Sequence, residues 1–236
     1  MTKQKASVKY SIFGNYGSLK ASPENVSRLF SGFSEKGFMP NMLTTFVVQQ
    51  PQGNIQQELR PQLINTEKNC IISILPDRID IEFSKPNYET DKDGIDFMKS
   101  IIKIFELQYC RIALNTSTII EDLTEEDIKK YNNIFNTFSQ DEVTNEDKLI
   151  EYTSRCVIRK RLKCIDEPIN IGKIVNSLSV QGDESNAIRA LRVDTDINTL
   201  ANLTEMRFSD KALAGFFYDT QAIDSEIVKE ILCLRS

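Results

Sequence analysis

The chain has 236 residues, 40% hydrophobic and 27% charged, with 29 basic against 34 acidic side chains and a formal net charge of -5. That length can bury a sizeable core in one domain or two, and the composition excludes disordered, collagenous and low-complexity classes. Histidine is absent, which excludes a Ser-His-Asp triad, a Cys-His pair and a histidine-ligated zinc or iron site within the chain.

Val8-Lys9-Tyr10-Ser11-Ile12-Phe13 alternates apolar with polar residues and reads as a first strand, ended by Asn15-Tyr16-Gly17. Ser22-Pro23-Glu24 then supplies an N-cap, a proline at the first helical position and an acid in the first turn. Val26, Leu29, Phe30 and Phe33 follow at helical spacing, so a helix is expected over 23–36, closed by Gly37. Strands are expected at 43–49, 57–65, 69–75 and 78–84, separated by turn residues such as Pro51-Gln52-Gly53-Asn54 and Pro76-Asp77. Their short connections imply antiparallel pairing. In the last of them Ile79, Ile81 and Phe83 alternate with Asp80 and Glu82, one face for the core and one for water.

Ile95, Met98, Ile101, Ile102 and Phe105 form a helical stripe, and Arg111-Ile112-Ala113-Leu114 returns as a strand. Thr124-Glu125-Glu126-Asp127 resembles a capping box, opening a helix that carries Ile128, Tyr131, Phe135 and Phe138. Its acids suit the positive end of a helix dipole better than a catalytic site. The acidic, polar stretch from Ser139 to Asp147 reads as a linker. Strands are expected at 150–163, 168–180 and 187–197, with Gln181 to Asn186 as a turn or flexible loop. Two C-terminal helices follow, 209–220 and 225–234, the second capped by Asp224 or Ser225. The expected fold is therefore α+β, with antiparallel sheets packed with four to five helices. Residues 1–138 form an N-terminal α+β half and residues 148–236 a half of strands plus a helix pair, separate or continuous. Strands followed by a helix occur in both halves, a loose sign of duplication.

In the stretch Ser154 to Cys164, five of the 29 basic residues occupy nine positions. Side chains alternate on a strand, so Arg155, Val157, Arg159, Arg161 and Lys163 would make a basic face, with Cys156, Ile158 and Leu162 on a mostly apolar one. One reading is a solvated face whose arginines pair with acids such as Asp194 and Asp196, at about 0.2–1 kcal/mol per cross-strand pair. The other is an anion- or partner-binding surface at Arg155, Arg159, Arg161 and Lys163, using arginine's planar donor fork. A pI near 5.1 and the lack of interleaved aromatics weigh against nucleic acid and favour an acidic protein.

Asp194-Thr195-Asp196 offers two carboxylates on one strand face as weak candidates for a divalent cation, although no third ligand is evident. The cysteines at 70, 110, 156, 164 and 233 contain no CxxC pair and read as buried free thiols. Phe216-Phe217-Tyr218 reads as core at helical spacing, or as an oligomer contact. Neither GxxxxGK[ST] nor a GxGxxG after a strand occurs, so no cofactor is expected. With no apolar run of membrane-spanning length and no signal-like segment after Met1-Thr2-Lys3-Gln4-Lys5, a cytoplasmic location with no membrane partner is expected.

The segment Ile74 to Phe83, the strand Cys110 to Asn115, and a C-terminal region with Phe217 and Ile223-Asp224-Ser225 resemble an uncharacterised, sporadically distributed bacterial and archaeal family of about this length. After the Arg-Ile-Ala-Leu stretch that family tends to continue Arg-Tyr-Ile-Asn, whereas here Asn115-Thr116-Ser117-Thr118 follows. The resemblance implies an α+β fold and an accessory role in a bacterial defence or toxin-neutralising system, and supplies no active-site residues. The leading expectation is a non-enzymatic interaction protein whose partner is another protein or a second copy of itself. The alternatives are a nucleic-acid or nucleotide binder using the basic strand, and a carboxylate-dependent metal hydrolase at Asp194 and Asp196.

Overall fold

The computed structural model describes residues 2–49, 54–87, 89–124, 126–127, 130–131, 153–180 and 188–234. Among these residues are nine strands: β1 (Lys3–Phe13), β2 (Met39–Gln49), β3 (Asn54–Asn65), β4 (Cys70–Ile74), β5 (Arg78–Ser84), β6 (Arg111–Ile120), β7 (Thr153–Leu162), β8 (Glu167–Val180) and β9 (Ile188–Thr199). All join one antiparallel sheet in the order β2-β3-β4-β5-β1-β6-β9-β8-β7. The helices are α1 (Pro23–Ser31), α2 (Thr90–Phe105) and α3 (Asp210–Cys233), with a 3-10 turn at Ser34–Lys36.

The expectation of antiparallel sheets packed with four to five helices is thereby corrected. The fold is mostly β, one nine-stranded sheet, and three α-helices have their bounds among the described residues. One reason lies at the C-terminus, where no proline or glycine interrupts residues 216–233. The two expected helices are one continuous helix, and Ser225 donates its hydroxyl to the Gln221 carbonyl at 2.9 Å instead of capping a new one. A second reason is strand length: β1, β2 and β6 extend beyond their alternating cores because their polar ends still find backbone partners in the sheet.

The first helix stops at Ser31, before the expected 36, and Gly37 closes the following 3-10 turn at φ 78°, a conformation glycine adopts without strain. Ser22 caps α1 as expected, its Oγ accepting from the Asn25 N–H at 3.2 Å. Thr124 and Asp127 do form a reciprocal cap, with the Thr124 N–H donating to the Asp127 carboxylate and the Asp127 N–H to the Thr124 hydroxyl. Glu126, Asp127, Lys130 and Tyr131 are helical. Glu125, Ile128, Phe135, Phe138, the Ser139–Asp147 linker, residues 51–53 of the first turn and the Gln181–Asn186 loop lie outside the described residues.

The winding repeats. In the first half the chain starts on the central strand β1, passes through α1 to the outer edge at β2, and returns by β3 and β4 to β5 beside β1, then enters α2. The second winding starts on β6, inside the residues 1–138 expected to form the N-terminal half, reaches the other edge at β7, and returns by β8 to β9 beside β6, then enters α3. The halves meet in the antiparallel β1–β6 pair.

Register separates the two faces. Leu63, Ile72, Ile81, Tyr10, Leu114, Ile197 and Ile171 form one row across seven strands, all buried. Ile95, Met98 and Ile101 of α2, and Leu213, Phe216, Phe217 and Ile231 of α3, join them in the core. Tyr218 alone of the Phe-Phe-Tyr run faces out, at 56% exposure. Gly94 lets α2 approach: a Cβ there would lie 2.4 Å from the Tyr10 ring. The opposite face carries Ser73, Asp80, Ser11, Ala113, Asn198, Asn170 and Arg159 in the neighbouring row, and no described helix contributes to it.

Under α3 sits a buried polar cluster. The Asp224 carboxylate accepts from the hydroxyls of Thr116 (2.5 Å) and Thr195 (2.9 Å), and Lys5 Nζ stands 3.1 Å from its second oxygen as an ion pair without hydrogen-bond alignment. Lys5 reaches this face because a bulge between Lys5 and Ser7 shifts the β1 register against β6 and reverses which side the strand's N-terminal residues face. One turn away, Tyr10 donates to Asp91 and accepts from Gln221; burial first, then the Asp91 charge, push its phenol pKa upward. Asp224→Ala takes the carboxylate from the Lys5 ammonium and leaves the two threonine hydroxyls only each other, 2.7 Å apart, and is expected to cost about 2–4 kcal/mol in urea-unfolding free energy. Glu226→Ala, one turn-step away and exposed, should change it by less than about 0.5 kcal/mol.

Candidate functional site

The open face of the sheet is concave at its centre, a groove of about 470 Å³ spanning β5, β1, β6, β9, β8 and β7. Its walls come from alternate positions that period-2 strands send away from the helices: Ser7 and Lys9, Glu82, Asn115 and Ser117, the run Arg192, Asp194, Asp196 and Asn198, Asn170, and Arg155 with Val157. Gly172 lies on the floor between Asp196 and Val157 in register, where a side chain would fill the hollow.

The acids on β9 are held in place. Arg192 Nε donates to Asp194 Oδ1 at 2.8 Å, with the Asn176 amide on Oδ2 at 3.4 Å. Asp196 Oδ1 accepts from Asn115 and Asn198, both at 2.9 Å. Asp194 and Asp196 therefore share one face, as their spacing predicts, but their oxygens already serve neighbours. Among the described residues no group of three or more His, Cys, Asp or Glu side chains converges.

The basic strand behaves differently from its simplest reading. β7 is the edge strand, and β8 lies between it and β9, so no β7 arginine reaches Asp194 or Asp196 as a cross-strand partner. The mostly apolar face is buried only at its C-terminal end: Leu162 is buried, next to the point where Gly215 of α3 approaches Cys164, whereas Ile158 is 54% exposed, as is Val157 on the basic face at 50%. Arg159 Nε donates to Asn170 at 3.2 Å, and Arg161 pairs with Asp166 at 2.9 Å in full solvent, where such a pair contributes little. Lys163 is exposed in the turn after the strand. Arg155 alone of the four predicted residues lines the groove, and its side chain, like that of Lys9, has no partner among the described residues.

The groove thus joins Arg155, Asp194 and Asp196 from the predicted set and adds Lys9, Glu82, Arg192 and five asparagine or serine side chains to which the sequence pattern assigned no site role. Their signal was present as the polar half of each alternating strand. What the sequence withheld was which strands are neighbours. The lining holds three basic side chains, Lys9, Arg155 and Arg192, against three acidic ones, Glu82, Asp194 and Asp196.

All five cysteines are free, but only Cys70 is buried; Cys110 is half-buried and Cys156, Cys164 and Cys233 are exposed, which corrects the expectation of buried thiols. Partial desolvation, then a hydrogen bond to Asp219, push the Cys164 thiol up to about 12. No helix among the described residues is long and apolar enough to cross a membrane. No family model matches the chain, and no curated protein or solved structure matches it.

Because the thiolate is the nucleophile, alkylation with iodoacetamide at about pH 8, followed by peptide mass spectrometry, should modify Cys156 at least about tenfold faster than Cys164. Equal rates would mean that Asp219 and the surrounding atoms do not hold the Cys164 thiol protonated.

Proposed function

We propose that the protein is a non-enzymatic interaction module that receives a partner protein on the open face of its sheet. The observation that carries this reading is the groove's charge: three cations and three anions around a polar hollow, with Arg155 and Lys9 free to pair outward. A nucleic-acid site needs clustered cations that neutralise phosphates, and a balanced lining offers little net attraction to a polyanion. A polar protein surface, carrying both signs and many amides, matches such a lining better. Arg155 and Arg159 supply the adjoining rim, where planar guanidinium forks pair with carboxylates of the incoming chain. An accessory-subunit role is compatible with this module, since binding through a preformed sheet face requires no chemistry of its own.

The test is a pull-down from native cell extract with wild type, Arg155→Glu/Arg159→Glu and Gly172→Leu, each with and without nuclease. The reading expects a protein captured by wild type, insensitive to nuclease, and reduced at least about tenfold in both variants, as for loss of a buried charge pair or a blocked interface centre. Capture that vanishes with nuclease would replace the partner by nucleic acid. Identical capture by all three proteins would remove the open face from the interaction.

A further inference from the structure

The two edges of the sheet are chemically opposite. β7 carries Arg155, Arg159, Lys160 and Arg161, the kind of charged edge that prevents sheet-to-sheet pairing. β2 carries no charge at all, and from Gly37 to Gln57 the sequence has none, although 27% of the chain is charged. Met42 and Phe46 on β2 and Leu59 on β3 share one face of the hairpin and are 58%, 71% and 51% exposed.

The prolines tell which backbone groups of β2 are open. Pro61 stands opposite Met42 and has no N–H to give, so this is a pair that exchanges no hydrogen bonds, and the N–H and C=O of Met42 point away from β3. Pro40 has the same parity, which places its missing N–H on the open side, the position an edge strand tolerates. By alternation Thr44 and Phe46 also direct their backbone groups outward.

We propose that β2 is a self-association edge, pairing antiparallel with β2 of a second copy about a two-fold axis at Thr44 and continuing the sheet through both molecules. In that register Met42 of each copy faces Phe46 of the other, on the same side of the sheet, an apolar and sulfur–aromatic contact made twice by symmetry. Pro40 closes the hydrogen-bonded ladder at each end and fixes its register. Charge selects the occupant. Each molecule has a net charge of -5, so two copies repel over most of their surfaces and approach most readily where neither carries charge.

Light scattering coupled to size exclusion across the micromolar range tests this. Wild type should rise with concentration from 27.0 kDa toward twice that mass. Thr44→Pro adds a second proline at an outward-facing position of the kind Pro40 already occupies, and Phe46→Lys places a cation on the contact. Both should stay at the monomer mass with unchanged far-ultraviolet circular dichroism, and Phe46→Lys decides the matter if Thr44→Pro fails to fold. Arg159→Glu/Arg161→Glu, at the other edge, should dimerise as wild type does. Wild type that remains monomeric throughout, folded β2 variants that still dimerise, or loss of the dimer in the β7 variant would each overturn the proposal.

Discussion

Everything in this molecule is arranged around the antiparallel pairing of β1 with β6. Each is the first strand of its half, and each half winds out to an edge and back until β5 lies against β1 and β9 against β6. The seam is reinforced from the helix side by one carboxylate, since Asp224 ties α3 to β6 through Thr116, to β9 through Thr195 and to β1 through Lys5. A buried carboxylate is tolerated because donors surround it, and the geometry those donors impose fixes where α3 sits along the sheet. The β1 bulge belongs to the same device, since without it Lys5 would face the open side.

One-sided helix packing has consequences for the whole surface. The helices bury the row from Leu63 through Tyr10 to Ile171, leaving the other face to polar residues that must satisfy one another across strands. They do so with amides and hydroxyls as much as with charges: Asn115 and Asn198 serve Asp196, while Arg192 bridges Asp194 and Ser117. These partners hold the walls of the groove, while Gly172 keeps its floor empty. A groove made of paired polar groups is preorganised, so a partner meeting it loses little side-chain entropy from this side.

The open sheet also leaves two edges, and the chain treats them differently. Arginine and lysine on β7 make that edge a poor template for another strand, while the uncharged edge strand β2 keeps its backbone groups available. At the hairpin's base, Arg60 is buried and donates to the carbonyls of Tyr16 and Gly17, so the projecting strands are anchored to the body. Charge concentrated on one edge and excluded from the other is a property of the whole sheet that composition averages hide.

Sequence alone determined the local elements. Alternation in Arg78 to Ser84 and the stripe Ile95, Met98, Ile101 and Ile102 specify a strand and a helix because the faces they bury repeat at periods of 2 and 3.6. Ser22-Pro23 starts α1 where its chemistry requires. The same local signals misplaced the break near Asp224 and Ser225. A cap-forming residue starts a helix only if the preceding turn has ended, and here the bond from Asp224 to the sheet keeps the helix intact. The face of β7 was also readable, but its burial was not, because burial depends on how far helices from elsewhere in the chain reach. Tertiary structure alone decided the groove: Lys9, Glu82, Asn115, Arg155 and Asp196 become neighbours only through strand order. That order is set by which strands close around the β1–β6 seam, a long-range pairing that local periodicity does not encode.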